Sequence, residues 1–118
     1  PYKAMELTTA VAEALRMVRL KDGPDEFALN LTALAMGEVA FLGIPGEPFS
    51  AIGRAVRERS PFPMTLPSGL TNGDEYYFPM AEAYDEGGYE ARSSAYKKGV
   101  AEALIQASLE LLEEIAPQ

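Results

Sequence analysis

The 118-residue sequence contains no cysteine, no histidine and no tryptophan. Without cysteine it has no disulfide, no thiol nucleophile and no thiolate metal site, and cysteine usage leaves the compartment open. The missing histidine matters more, because histidine is the usual general base and the commonest metal ligand near neutral pH. Any hydrolytic site that includes this chain must draw its imidazoles from elsewhere. Basic residues are also few: 10 Lys and Arg against 18 Asp and Glu give a formal charge of −8. That balance excludes the concentrated cationic surface a phosphate backbone requires, so no nucleic-acid partner is expected. No apolar run approaches the length of a membrane-spanning helix, and Pro1 to Thr9 carry no basic-then-apolar leader pattern. The chain begins at Pro1 rather than methionine, as an excised piece of a longer protein would.

What is present is enough apolar content, 47%, for a single domain over residues 1–118 with a real core. Leu7, Val11, Leu15 and Val18 form one stripe and predict an amphipathic helix over Met5–Val18, stopped by Lys21-Asp22-Gly23-Pro24. Phe27, Leu29 and Leu31 alternate with Ala28, Asn30 and Thr32, predicting a strand to about Met36. Gly37-Glu38 then reverses it into a continuous apolar run, Val39–Ile44, which reads as a strand buried on both faces. A helix follows from Pro48 to Arg59, then a short strand within Met64–Leu70. An irregular stretch runs to Gly88, and a last helix carries the stripe Val100, Leu104, Ala107, Leu111 and Ile115. The order α-β-β-α-β-α predicts a small two-layer α/β unit with helices packed on a short sheet.

Two segments bear candidate chemistry. In Ile44-Pro45-Gly46-Glu47-Pro48-Phe49 the apolar strand stops and a helical pattern starts, with Pro48 suited to the first helical position and Glu47 at or beside the N-cap. A helix dipole there favours a carboxylate, at the strand end where open α/β sheets build sites. A strand, a Pro-Gly turn and an acidic cap are equally at home in a purely structural role. The second segment, Ser68 to Glu90, is long and rich in tyrosine, and long loops in compact domains are often functional. Tyr84 and Tyr89 read as surface cover. Tyr76 and Tyr77 follow a turn after a strand end, so one of them can face the same side as Glu47. Other signals read as ordinary surface: the sequon Asn30-Leu31-Thr32, the acidic group Glu82, Asp85, Glu86 and Glu90, and the basic residues Arg54, Arg57, Arg59, Lys97 and Lys98.

The run Met36 to Glu47, then Ser68-Gly69-Leu70, Asn72, Tyr77, Tyr84 and Tyr89-Glu90, resembles the carboxyl part of the catalytic domain of the neutral/alkaline non-lysosomal ceramidase family. The resemblance extends from about Met36 to about Glu90. It implies a zinc-dependent amidase that cleaves the N-acyl bond of ceramide or a related lipid amide. The metal would be held by two histidines from earlier in the domain, a glutamate and a tyrosine. Carried onto this sequence, the glutamate of the Pro-Gly-Glu turn is Glu47, and the tyrosine nine residues beyond the serine of Ser-Gly-Leu is Tyr77. Tyr76 takes that place in a register one residue earlier, and is otherwise a substrate-binding candidate.

Two oxygen ligands do not make a zinc site, so the chain alone is expected to be inactive and to bind no zinc. Its partners would be the missing amino-side portion of the same protein and a lipid amide. Pro48-Phe49-Ser50 depart from the small polar residues that follow the glutamate in the ceramidases, which leaves the substrate open. Members of the family are often secreted or membrane-associated. The alternative is a noncatalytic α/β interaction module. Under either reading a separated domain should expose an apolar patch on one sheet face and self-associate.

Overall fold

A computed structural model describes residues 2–118; Pro1 lies outside the described residues. The elements run α1 (Tyr2–Lys21), β1 (Thr32–Met36), β2 (Val39–Gly43), β3 (Glu47–Pro48), α2 (Ser50–Arg59), β4 (Met64–Ser68), β5 (Tyr77–Phe78), α3 (Ala81–Glu86), α4 (Tyr89–Ser93) and α5 (Val100–Ile115). Gly37 organises the first pairing. At φ +60° it takes the first central position of a two-residue turn, which sets Met36 opposite Val39 and Thr32 opposite Gly43 in an antiparallel hairpin. From β2 the chain crosses through α2 to β4, which pairs parallel to β2 from Val39↔Met64 to Gly43↔Ser68. The sheet order is β1-β2-β4, so Pro67, which has no N–H to give, falls on an edge strand. The small α/β unit is as expected.

One face of this sheet is covered. Ile52 and Val56 of α2, with Ala101, Leu104, Ile105, Leu109 and Leu112 of α5, close over Ala40 and Leu42 to make the core. The buried side of α5 is therefore turned from the expected stripe. Leu104 is shared, Ala107 is exposed, and Val100, Leu111 and Ile115 are only partly buried along its flank.

The opposite face is bare. Leu34, Met36, Phe41, Met64 and Leu66 alternate with the covered residues and stand exposed, Phe41 at 42%. The Val39–Ile44 run is thus buried on one face rather than on both, because nothing among the described residues packs on the other. The apolar patch expected for a separated domain is this face.

α1 departs further. It forms over the predicted span and beyond it, yet none of its residues is buried. Its half-buried positions are Glu13, Arg16 and Leu20, while Leu7, Val11, Leu15 and Val18 face outward, Val11 at 50% exposure. An Arg92 to Glu13 ion pair, with Arg92 Nε donating to Glu13 Oε2 at 3.0 Å, ties it to α4. This pairing holds the Glu13 carboxyl below its usual range. The projecting helix stretches the molecule to 55 × 29 × 23 Å. The strand expected from Phe27 begins only at Thr32. Phe27 is instead set edge-on against Tyr96 at 5.5 Å, and Asn30 of the sequon is exposed in the non-regular chain just before β1.

The stretch expected to be irregular up to Gly88 holds β5 and α3, and the separate short helix α4 follows it before α5. Gly87, at φ +71°, ends α3 by donating its N–H to Ala83 O.

Candidate functional site

The site is built by two segments that clasp each other through main-chain hydrogen bonds. Past β2, Ile44 N–H donates to Ser68 O at 2.8 Å, and Ile44 O accepts from Gly46 N at 2.9 Å and Thr71 N at 3.0 Å. Leu70 N donates to Gly46 O at 2.8 Å, Glu75 N to Pro45 O at 2.9 Å and Glu47 N to Tyr76 O at 2.9 Å. Residues 68–76 thus wrap the Pro-Gly turn, whose residues Ile44, Pro45 and Gly46 are buried. The approach is close enough to dictate residue type. A Cβ on Gly46 would lie 2.6 Å from the Phe78 ring and 2.7 Å from Tyr76 O. This explains why a Pro-Gly-Glu turn and a Ser-Gly-Leu segment occur together: each supplies the other's backbone partners.

The wrapping loop is strained. Leu70, Asn72 and Tyr76 all have left-handed backbones, at φ 51°, 59° and 65°. Such residues cost on the order of 1–3 kcal/mol each and persist where their surroundings over-determine them. Asn72 is the type most tolerant of that conformation, and its Nδ2 donates to Thr32 Oγ1 at 3.2 Å.

The clasp brings Glu47 and Tyr77 together. β3 and β5 form a parallel bridge in which Glu47 is the register partner of Tyr77 and Pro48 of Phe78, so two residues thirty positions apart in sequence become neighbours. Burial pushes the Tyr77 phenol above its ordinary value of 10.0, and the charge of Glu47 adds to the shift, followed by Tyr89 and Glu90. The Tyr89 ring stands edge-on to Tyr77 at 5.9 Å. Behind the pair, the buried Ser94 donates its hydroxyl to Tyr77 O at 2.9 Å, and Phe78 is fully buried and stacked on Tyr96 at 5.2 Å.

Several expectations are corrected here. Glu47 is not at the N-cap. The cap of α2 is Phe49, which makes no side-chain cap bond, and Pro48 belongs to β3 rather than to the helix. Pro48 continues the extended run as the register partner of Phe78, and Phe49 N–H donates to Phe78 O at 3.3 Å, so the helix starts only at Ser50. Glu47 instead adds to the rise of the Tyr77 phenol. Tyr76 is half exposed and, after Glu75, adds to the rise of the Tyr96 phenol, which is pushed up to about 12, chiefly by burial. Tyr84 is structural as read, donating to Tyr96 O at 2.9 Å. Tyr89, read as cover, and Ser94, which no spacing singled out, both belong to the surroundings of Tyr77.

Among the described residues no group of three or more Asp, Glu, His or Cys is placed to hold a metal ion. Asp85 is instead paired with Lys98. No helix among them is long and apolar enough to cross a membrane.

The fold can now be compared with known proteins. It superposes on a neutral ceramidase from Pseudomonas aeruginosa with a TM-score of 0.56 and 20% identity, over 75% of this chain and 16% of that one. A ceramidase solved in complex with C2 gives a TM-score of 0.61 and 24% identity over the same shares. The fold is neutral ceramidase-like. At 16% coverage, the chain spans about a sixth of the length of the ceramidase structures it matches. No family model matches the sequence, and no curated protein matches it. The ceramidase-like fold is therefore evident in the arrangement of the backbone.

Proposed function

We propose that this chain is the carboxyl-side part of a ceramidase-like, zinc-dependent amidase that hydrolyses the N-acyl bond of ceramide or a related lipid amide. Glu47 and Tyr77 would be two of its metal ligands. The observation that carries the reading is the parallel register of Glu47 with Tyr77. The donor set fits part of a zinc site: one carboxylate and one phenol, adjacent and held by main chain. Burial, with the Glu47 charge added to it, raises the Tyr77 phenol, and a cation shared with Glu47 would act in the opposite direction. The remaining ligands would be two histidines of the amino-side portion, since this chain has none.

Zinc, when bound, acidifies a water molecule and polarises a carbonyl. This chain's own contribution is positional. The clasp fixes the backbone of both ligand residues, Ser94 anchors the Tyr77 carbonyl, and Tyr89 walls one side of the phenol. The 118-residue chain by itself would neither hold zinc tightly nor hydrolyse an amide.

Zinc analysis of the complete gene product tests the proposal. Glu47→Ala and Tyr77→Phe should each lower bound zinc and abolish amide hydrolysis while leaving the melting temperature nearly unchanged. Full zinc retention by Glu47→Ala would remove the ligand assignment and leave the noncatalytic interaction module.

A further inference from the structure

We propose that Ser94 is a positioning residue for Tyr77: its hydroxyl fixes the free edge of β5 and so sets the direction in which the phenol is presented beside Glu47. The need for it follows from the strand itself. β3 and β5 make a two-stranded sheet, and their shared edge uses Tyr76 O, which accepts from Glu47 N–H, and Phe78 O, which accepts from Phe49 N–H. Carbonyls of successive residues in a strand point to opposite edges, so Tyr77 O faces away from β3, where among the described residues no third strand pairs with β5. A buried carbonyl without a donor is costly. Ser94, 8% exposed, supplies that donor at 2.9 Å.

A count of protons fixes which way the hydroxyl points. Ser94 Oγ accepts from Tyr96 N–H at 3.1 Å and has a single proton to give. Two acceptors are within reach, Tyr77 O at 2.9 Å and the Tyr84 hydroxyl at 3.3 Å. The carbonyl is the nearer, and Tyr84 directs its own proton to Tyr96 O at 2.9 Å. The hydroxyl is thus held between a main-chain donor and a main-chain acceptor, and it cannot turn from Tyr77 without leaving that carbonyl unpaired.

The place of Ser94 in the chain gives this bond its leverage. Ser94 is the C-cap of α4, and Tyr89, the first residue of that helix, sets its ring edge-on to the Tyr77 ring at 5.9 Å. A helix of five residues therefore meets residue 77 at both of its ends, the ring at one and the carbonyl at the other. From the β3 side, the bonds from Glu47 N–H and Phe49 N–H hold only the flanking residues, Tyr76 and Phe78. As a contribution to a metal site, this role rests on the ligand assignment proposed above; as a statement about the aim of Tyr77, it does not.

The metal-free test uses the 118-residue chain with ring-labelled tyrosine. Ser94→Ala should lose most of the nuclear Overhauser effect between the Tyr77 and Tyr89 rings, with an unchanged circular dichroism spectrum. Ser94→Thr, which keeps the hydroxyl, should restore it, and Ser94→Cys, a weaker donor, should fall between. Tyr84→Phe removes a hydroxyl of the same cluster without touching Tyr77 O and should leave the effect intact. In the complete gene product, Ser94→Ala should weaken zinc binding about 10- to 100-fold, the usual cost of losing a group that orients a ligand. Ser94→Thr and Tyr84→Phe should bind zinc as the wild type does. Ser94→Ala with the ring contact and zinc affinity of the wild type overturns the proposal, as does Tyr84→Phe with losses equal to those of Ser94→Ala. If Ser94→Ala loses the ring contact while Glu47→Ala retains full zinc, the ligand assignment falls and the positioning of Tyr77 stands.

Discussion

Apolar stripes can be read on both α1 and α5, yet α5 supplies much of the core and no residue of α1 is fully buried. The difference lies in what each helix meets. α5 lies across a sheet face whose small and branched residues, Ala33, Ala35, Ala40 and Leu42, accept it. α1 reaches the body through an exposed ion pair and turns its apolar side away. Periodicity establishes that a helix forms and which side is apolar. It does not establish which surface will cover that side.

The comparison is broken most strongly from the core side. Phe78→Ala should cost about 3–5 kcal/mol in urea melts, because Phe78 is fully buried, stacked on Tyr96 and packed against Gly46. Gly46→Ala is next, at roughly 1–3 kcal/mol, because its Cβ would meet ring and carbonyl together. An alkaline titration followed by fluorescence sharpens the contrast. Tyr96 has a folded-state value raised from 10.0 to about 12, so its contribution is complete below pH 10 and is lost as the pH rises towards 12. Tyr96→Phe should flatten that loss. The smallest effects belong to α1. Arg92→Ala should leave the melting of the core unchanged while speeding hydrogen exchange along α1. Because the Glu13 value is lowered by Arg92, wild-type protection of α1 should be present above the ordinary carboxyl range and fade as the pH falls through the folded value.

Much of the sheet was legible in the sequence. The hairpin turn, the start of β4 and the end of α2 follow from glycine, proline and apolar period, all of which act locally. The β3–β5 bridge was not, because two-residue strands carry no period; only the later clasping of the loop around Pro45-Gly46 creates them. Glu47 and Tyr77 were reached by resemblance, and the N-cap argument offered for Glu47 failed because the bridge to Tyr77-Phe78 keeps Glu47-Pro48 extended and moves the cap to Phe49. Tyr89 and Ser94 were missed as neighbours of Tyr77 because their nearness depends on how α4 closes over β5. α3 and α4 left faint marks, of which Gly87 after Ala81–Glu86 is the clearest.

The clasp itself has a practical consequence. Since amides and carbonyls do the holding at positions 46, 47, 70, 75 and 76, the side chains at 47 and 77 are passengers on a frame that does not need them. They can be exchanged for other side chains, histidine included, without refitting the scaffold, which makes this bridge a mount for setting two chosen groups side by side.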